Sequence, residues 1–550
     1  MRALLVLAVL LVAGCATPAA ELDPASTLPP VAYEVPKPDL SLALLEESVL
    51  VPMPAGANVL IHARLVRPAT DEPVPVIVEF TPYNGLPSRS TAVEPVAFGP
   101  GAGPLGEDAF VEELVRRGFA FAYADVRGTG DSSGCMDLRG QLDIEDAYAL
   151  TEWLGTQPWS NGKVGFIGAS YPGSTSHIAA IANNPHLGGV VPVVASTSFY
   201  HYHHKGGVPY INHLTTNSAY NAYAAAPTLN PQLENWATRQ LVEAAECDQA
   251  THLTVQLDQT GAYTPWWADR NLRPRVDQVQ VPVLMAQGLA DWNVKPDHIA
   301  TYWNDLAVRK TLIAGQWGHQ FPEDAESAYG KWWELVAAFF DETLRGTRTG
   351  LFDADKAYVQ GTDGEWRVYA TWPPLDARPL ALNLTPAGLT MTDAPSGEIG
   401  WEAVPGRLDP RMLGEDEQVV LELPPLDAPL HVSGTPTLNL TLVSSADDVH
   451  LVAILERESD GRWVRENHGY LNPTYRDGLD RPARLVPGVP TPVTLEMYPQ
   501  EDVFDAGTKL RLVLRSYDGG AVPVFDRASI RALLDGERAG QLWLPLSPLA

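Results

Sequence analysis

Three cysteines in 550 residues are too few for a disulfide-stapled scaffold, and none stands in a CxxC pair or a Cys/His spacing that holds zinc. Basic residues are scarce: 38 Lys and Arg stand against 67 Asp and Glu, a formal charge of -29. A surface that negative repels phosphate backbones, so nucleic acid is excluded as an expected partner. Long apolar runs are missing. The unbroken stretch from Ala3 to Ala13 falls far short of the roughly 20 residues that a spanning helix needs. No solenoid repeat recurs, and no HExxH motif is present. What remains is globular composition, 45% hydrophobic and 9% aromatic, in a chain long enough for two to four domains.

The amino terminus reads as an address. Met1-Arg2 is a short positive start, and the apolar run ends in Val12-Ala13-Gly14-Cys15, which resembles a bacterial lipobox. Residues 1–15 are then a lipoprotein-type signal, Cys15 the lipidated mature N-terminus, and the membrane a partner through that anchor. The competing reading is an ordinary cleaved signal with an incidental cysteine. Residues 16–40, rich in Pro, Ala, Thr and Asp, read as a flexible tether. The protein is expected to be exported, at the outer membrane or cell surface. An exported compartment permits a Cys135–Cys247 disulfide; two buried free thiols are the alternative, and spacing does not choose.

Residues 41–348 alternate strands with helices, the pattern of a mostly parallel sheet covered on both faces. Strands are expected at 59–65, 74–80, 119–126, 164–168, 281–286 and 310–314. Helices are expected near 111–117, 142–154, 174–182, 296–306 and 325–344. The segment 198–275 breaks the rhythm and reads as an inserted helical cap. Trp332, Trp333, Phe339 and Phe340 fall on the core face of the last helix. From 349 to 550 the helical signal fades into short strands between Pro, Gly and Asp turns, an all-β sandwich.

A serine hydroxyl attacks well only when a base takes its proton and the backbone holds it exposed. Gly130-Asp-Ser132-Ser-Gly134 fits G-x-S-x-G by letter, yet it sits in a Gly-rich loop with no helix until about Leu142. Gly168-Ala-Ser170-Tyr-Pro-Gly173 misses by one place but passes from a strand straight into a helix, as a nucleophile elbow must. Ser170 is therefore the expected nucleophile. Asp291, in Gly288-Leu-Ala-Asp-Trp-Asn, and His319, in Gly315-Gln-Trp-Gly-His-Gln, each follow a strand in the order acid then base. His177 and His298, inside predicted helices, are weaker bases. The oxyanion is expected to meet the Tyr171 amide and a donor from Thr81-Pro-Tyr-Asn84.

These motifs, with Asp125-Val-Arg-Gly-Thr-Gly-Asp-Ser, resemble the Xaa-Pro dipeptidyl-peptidase and cocaine esterase (CocE/NonD-type) family of α/β hydrolases. Phe504-Asp-Ala-Gly-Thr-Lys-Leu-Arg-Leu and Gly434-Thr-Pro-Thr-Leu resemble that family's C-terminal jelly-roll domain. The similarity runs from about 45 to 548. It implies an α/β hydrolase with an inserted helical cap and a jelly-roll sandwich. It also implies a tyrosine hydroxyl in the oxyanion hole, carried over onto Tyr83. Ala290 stands where family members often carry a tyrosine before the acid.

Other readings carry less. His201-Tyr-His203-His204 has no carboxylate partner at metal-site spacing, so no metal or cofactor is expected. Ser160-Asn-Gly-Lys163 lacks the companion motifs of S-x-x-K enzymes, and Asp125, Arg127 and Asp131 read as an ion-paired loop brace. A cell-surface binding protein with an inert hydrolase domain is the alternative from another functional class. The expected substrate is a small ester, an amide or a short peptide. A dipeptidyl-peptidase must hold a free amine and a proline ring. Glu234, Glu243, Asp248, Asp258, Asp269, Trp236, Trp266 and Trp267 of the cap are candidates for that task. An esterase or amino-ester acylase uses the same machinery, and the oligomeric state stays open.

Overall fold

The computed structural model describes residues 34–54, 59–84, 108–224, 247, 249–322, 326–350, 352–392, 396–406, 409–523, 526–535 and 540–547. The proposed signal, Cys15 and most of the tether lie outside them, as do Glu234, Trp236, Glu243 and Asp248.

Runs of β-branched and aromatic residues buried on both sides build the centre of the first sheet. Strand β3 (Val74–Thr81) is buried at every position, as are the later strands β4 (Ala120–Asp125), β9 (Val283–Gly288) and β10 (Lys310–Gly315). Such strands must be covered on both faces. Around them stand β1 (Leu44–Pro52), β2 (Leu60–Pro68), β5 (Ser160–Ala169), β6 (Leu187–Val193), β11 (Lys356–Gln360) and β12 (Trp366–Tyr369), in the order β1-β2-β4-β3-β5-β6-β9-β10-β11-β12. The run from β4 to β11 is parallel, and β1, β2 and β12 are antiparallel edges. This is the α/β-hydrolase sheet.

Helices α1 (Asp108–Arg116), α2 (Gln141–Gly155) and α3 (Tyr171–Ala182) supply the first crossovers. Ile144, Leu150, Leu154 and Ile178 join the core on one face; Val111 and Leu114 join the other. Trp332, Trp333, Phe339 and Phe340, on the helix Glu326–Arg345, bury themselves on that second face. Strand β6 is absent from the expected set. Its Leu187-Gly-Gly-Val-Val-Pro-Val is interrupted by glycines and a proline, which mask a buried parallel strand.

Between β6 and β9 the chain leaves the sheet. It forms a short helix α4 (Phe199–His203), the small hairpin β7–β8 (His204–Lys205, Val208–Pro209), and helices α5 (Thr216–Ala224), α6 (Gln249–Leu257) and α7 (Pro265–Asp269). Val208, in the hairpin, and Tyr210, just after it, share an apolar cluster with Val452, Ile454, Tyr470 and Tyr498 of the C-terminal domain.

Two strands beyond the boundary expected at 348/349 still hydrogen-bond to the first sheet. Strands β11 and β12 extend the hydrolase sheet to Tyr369, because Thr311 to Ala314 pair in parallel with Lys356 to Val359. Beyond Arg378 the described residues hold strands and three short 3-10 turns but no α-helix: a nine-stranded sheet faces a four-stranded one over a core of Leu438, Leu442, Leu495, Leu512, Leu542 and others. This is the jelly-roll sandwich.

Candidate active site

Ser170 stands between β5 and α3 with φ 68° and ψ -120°, a conformation that costs a non-glycine residue energy. Its own N–H donates to the Val193 carbonyl at 3.0 Å, which locks the turn. The turn closes only because position 173 has no side chain: a Cβ there would lie 2.6 Å from the Val193 oxygen. Pro172, in the first turn of α3, gives up an N–H that no intrahelical bond needs.

Asp291 and His319 lie on the loops after β9 and β10, two neighbouring parallel strands. Backbone bonds tie the loops together, Leu289 N–H to the Gly315 carbonyl at 2.7 Å and Ala290 N–H to the Trp317 carbonyl at 3.1 Å. Gly288 permits this approach, since a Cβ would sit 2.2 Å from the Trp317 oxygen. His319 Nδ1 is 2.8 Å from Asp291 Oδ2. The other carboxylate oxygen accepts the N–H groups of Asn293 (2.8 Å) and Val294 (2.9 Å). Asp291 is thus wholly buried with its charge satisfied, while the His319 side chain keeps 26% of its surface open.

Tyr83 follows β3, on the other side of β5. Its hydroxyl lies 3.2 Å from the Tyr220 hydroxyl, and the Ser170 side chain is close enough to influence its ionisation. Burial, then the Tyr220 phenol, pushes its pKa well above the ordinary tyrosine value, so Tyr83 is a neutral O–H group. Asn84 beside it donates to Asp125 Oδ1 at 2.8 Å. Asp125 Oδ2 takes His62 Nδ1 and the Asp131 N–H, each at 2.8 Å. Among the described residues, His62, Asp125 and Asp131 form the one group whose potential metal-ligand atoms cluster, and these hydrogen bonds account for their closeness. Arg127 is not part of that knot; it forms a bidentate pair with Asp146. Ser132 donates to the Asp125 carbonyl and accepts the His62 N–H, both at 2.8 Å, a fully buried structural serine.

All three candidate triad residues therefore sit at the carboxyl ends of parallel strands of one sheet, with Tyr83 beside the serine. The Tyr171 phenol is buried and donates to Asp143 at 3.2 Å, which leaves its backbone N–H at the first position of α3. The sheet edge thus carries a serine hydroxyl on a strained turn, an imidazole held by a buried carboxylate, and a neutral O–H group, the side-chain types that acyl transfer uses.

Residues 56–320 match the family of X-Pro dipeptidyl-peptidases (S15 family), and residues 353–541 match the X-Pro dipeptidyl-peptidase C-terminal non-catalytic domain. The chain belongs to this family. It is a serine hydrolase. A putative Xaa-Pro dipeptidyl-peptidase of Bacillus cereus is 25% identical over 522 residues, covering 88% of each chain. The cocaine esterase of a Rhodococcus species is 24% identical, covering 88% of this chain and 92% of its own. A CocE/NonD family hydrolase from Staphylococcus aureus shares the fold, with a TM-score of 0.73 at 18% identity over 92% of this chain and 94% of its own.

Within this S15 chain the remaining candidates take structural places. His177 is buried edge-on against Tyr302, and His298 Nδ1 accepts the Thr197 N–H at 3.2 Å. His203 and His204 pack with His213 around Trp267. Asp269 pairs with Arg270, and Asp258 closes a turn onto Thr260. Cys135 and Cys247 form a disulfide that fastens the cap to the loop after β4. Tyr220, Arg139 and Asp143 are site neighbours that sequence reasoning missed. They occupy a cap helix, a loop and a crossover helix, and no motif marks them.

Proposed function

We propose that this serine hydrolase cleaves its substrate through an acyl-enzyme at Ser170, with His319 as base and Asp291 as the acid that orients it. Ser170 Oγ attacks an ester or amide carbonyl while His319 takes its proton, and the oxyanion is held by the Tyr83 hydroxyl and the Tyr171 N–H. His319 then returns the proton to the leaving group, and water repeats the sequence on the acyl-enzyme. The observation that carries this reading is the strained Ser170 turn beside Tyr83, with a 2.8 Å His319–Asp291 contact on the loops of the same sheet edge.

The favoured substrate is an Xaa-Pro dipeptide at a peptide amino terminus, supported by the family match of both domains. A carboxylester or α-amino ester is the second reading, supported by the cocaine esterase relative, which covers as much of the chain. Gly-Pro and Ala-Pro anilides assayed against aryl esters test the choice. Hydrolysis of the esters alone removes the peptidase reading. Fluorophosphonate labelling tests the nucleophile: wild-type protein is labelled at Ser170 and Ser170→Ala is not.

The same reading places the enzyme outside the cytoplasm, anchored through a lipid on Cys15; the lipobox-like Val12-Ala13-Gly14-Cys15 supports it. Expression of the full chain and of Cys15→Ser in a Gram-negative host, with membrane fractionation, tests it. A variant that stays in the membrane fraction removes the lipid anchor from the proposal.

A further inference from the structure

Charges in the segment 137–146 pair unequally. Arg127 grips Asp146, and Arg270 Nη2 donates to Asp137 Oδ1 at 2.7 Å. Arg139 and Asp143 are left over. Among the described residues no carboxylate lies within ion-pair distance of the Arg139 guanidinium, and its Nε and Nη1 have no hydrogen-bond partner. Yet Arg139 is only 3% exposed. A cation so placed is normally matched by an anion, because burial strips away its water.

Here aromatic rings surround it. The guanidinium carbon lies 3.9 Å from the ring centre of Tyr171, 4.8 Å from that of Phe199 and 5.6 Å from that of Tyr220. Ring faces attract a cation but do not neutralise it. The stack is also built deliberately. Leu138 and Arg139 both adopt positive φ, 52° and 68°. The Arg139 N–H donates to Asp143 Oδ2 at 2.8 Å, and the Tyr171 hydroxyl donates to that same oxygen at 3.2 Å. One carboxylate thereby clamps the main chain under the guanidinium and the ring it covers. Burial, ahead of the neighbouring Asp137, pushes the Asp143 pKa up to about 7, which weakens it further as a counter-charge.

The covered rings are those of the proposed reaction site: Tyr171 follows Ser170, and the Tyr220 hydroxyl is 3.2 Å from that of Tyr83. We propose that Arg139 is a positioning residue of the hydrolysis, a buried positive charge without a counter-ion among the described residues, that favours the anionic tetrahedral intermediate through Tyr171, Tyr220 and Tyr83. This rests on the reading of Ser170 as nucleophile and of Tyr83 and the Tyr171 amide as oxyanion donors. A neutral ester or amide carbonyl gains little from the charge. When Ser170 adds to that carbonyl and His319 takes the proton, a full negative charge appears at the residue next to the ring that the cation covers, in a medium of low dielectric. The stabilisation is then specific to the transition state and enters kcat.

The test compares Arg139→Met, which removes the charge and keeps an unbranched side chain, with Arg139→Lys, which keeps the charge. Both are made in the full-length, disulfide-bonded protein and checked by thermal melting. Arg139→Met is expected to lower kcat about 100-fold on an aryl ester with KM within about threefold, and to weaken inhibition by an arylboronic acid, whose adduct is a tetrahedral anion, by a similar factor. Arg139→Lys is expected to recover at least tenfold of that kcat. A Met variant within threefold of wild-type kcat, or a Lys variant no better than the Met variant at equal melting temperature, overturns the proposal. If Arg139→Met does not fold, Arg139→Gln replaces it. Failure of both neutral variants to fold beside an active Lys variant also overturns the proposal, since the charge then serves the fold. Loss of fluorophosphonate labelling at Ser170 in wild-type enzyme marks instead a failure of the underlying nucleophile assignment.

Discussion

The side-chain amide of Gln316, three residues before His319, donates to the Gln360 carbonyl at 2.9 Å. The same nitrogen reaches the Glu501 carbonyl of the sandwich at 3.4 Å. Beside the other loop, the Trp292 ring packs 4.7 Å from His468 and 5.5 Å from Tyr498, both of the C-terminal domain. The β domain thus touches the loops that carry Asp291 and His319, and the hydrolase sheet alone does not fix them.

Glu501 is the test of that coupling. Its buried carboxylate takes the hydroxyls of Tyr369 (2.6 Å) and Ser433 (2.5 Å), the Trp372 indole (3.0 Å) and His431 Nε2 (2.6 Å). Glu501→Ala strands these donors in a dry junction and is expected to cost about 3–5 kcal/mol. Thermal melting and ester hydrolysis well below the melt check it. A variant that melts with wild type and keeps full kcat contradicts the coupling.

Tyr83→Phe removes one oxyanion donor and leaves the ring in place. The expected loss is about 100- to 1,000-fold in kcat with little change in KM. Steady-state kinetics on one substrate decide it; a rise in KM alone would make Tyr83 a ground-state binding group.

The disulfide joins Cys135 to Cys247 across a sequence separation of 112 residues. Closing a loop of that length stabilises by at most about 5 kcal/mol on chain-entropy grounds. Reduction, or Cys135→Ser with Cys247→Ser, is expected to lower the melting temperature. Equal melting of oxidised and reduced protein would show that the bridge adds nothing.

Acid should weaken the fold through buried histidines. Burial depresses the pKa of His177 and His468 to about 3 and of His450 to about 4, and puts His203, His204 and His298 well below their ordinary 6.5. Unfolded, these rings take up protons below about 6.5; folded, they stay neutral. The unfolded state then binds more protons, so stability present above pH 6.5 is lost as pH falls towards the folded values. Asp137, Asp143, Asp146 and Asp502, whose burial raises their pKa, and His62, where the cost of burial is outweighed by the bond to Asp125 and the pKa is raised, oppose this but are fewer. Urea midpoints are expected to fall from pH 7 to pH 5; a flat or rising midpoint refutes the account.

Much of the site was legible before any coordinates. Ser170 outranked the better letter match at Ser132 because a strand running into a helix is a local property, visible in Lys163 to Ile167 and Ser174 to Ala182. Asp291 and His319 were chosen the same way, each just past a buried strand, and the structure brings these two side chains into contact. Arg139, Asp143 and Tyr220 were not legible. Their importance comes from approach across 28 residues for Tyr171 and Asp143 and 137 for Tyr83 and Tyr220, and periodicity carries no such information. The sheet partner of the strand after 348/349 was not legible for a related reason. Lys356–Gln360 looks like any strand, and only its pairing with Lys310–Gly315 assigns it to the first sheet.

By itself the sequence determined the alternation of buried strands and helices, the elbow at Ser170 and the order serine, acid, histidine, because each depends on residues within a few positions of one another. Tertiary structure alone decided that Cys135 meets Cys247, that the sandwich braces the Asp291 and His319 loops, and that Arg139 is buried with no counter-ion among the described residues. Those are relations between distant segments, set by how the sheet, cap and sandwich pack, and packing is a property of the whole fold rather than of any stretch of it.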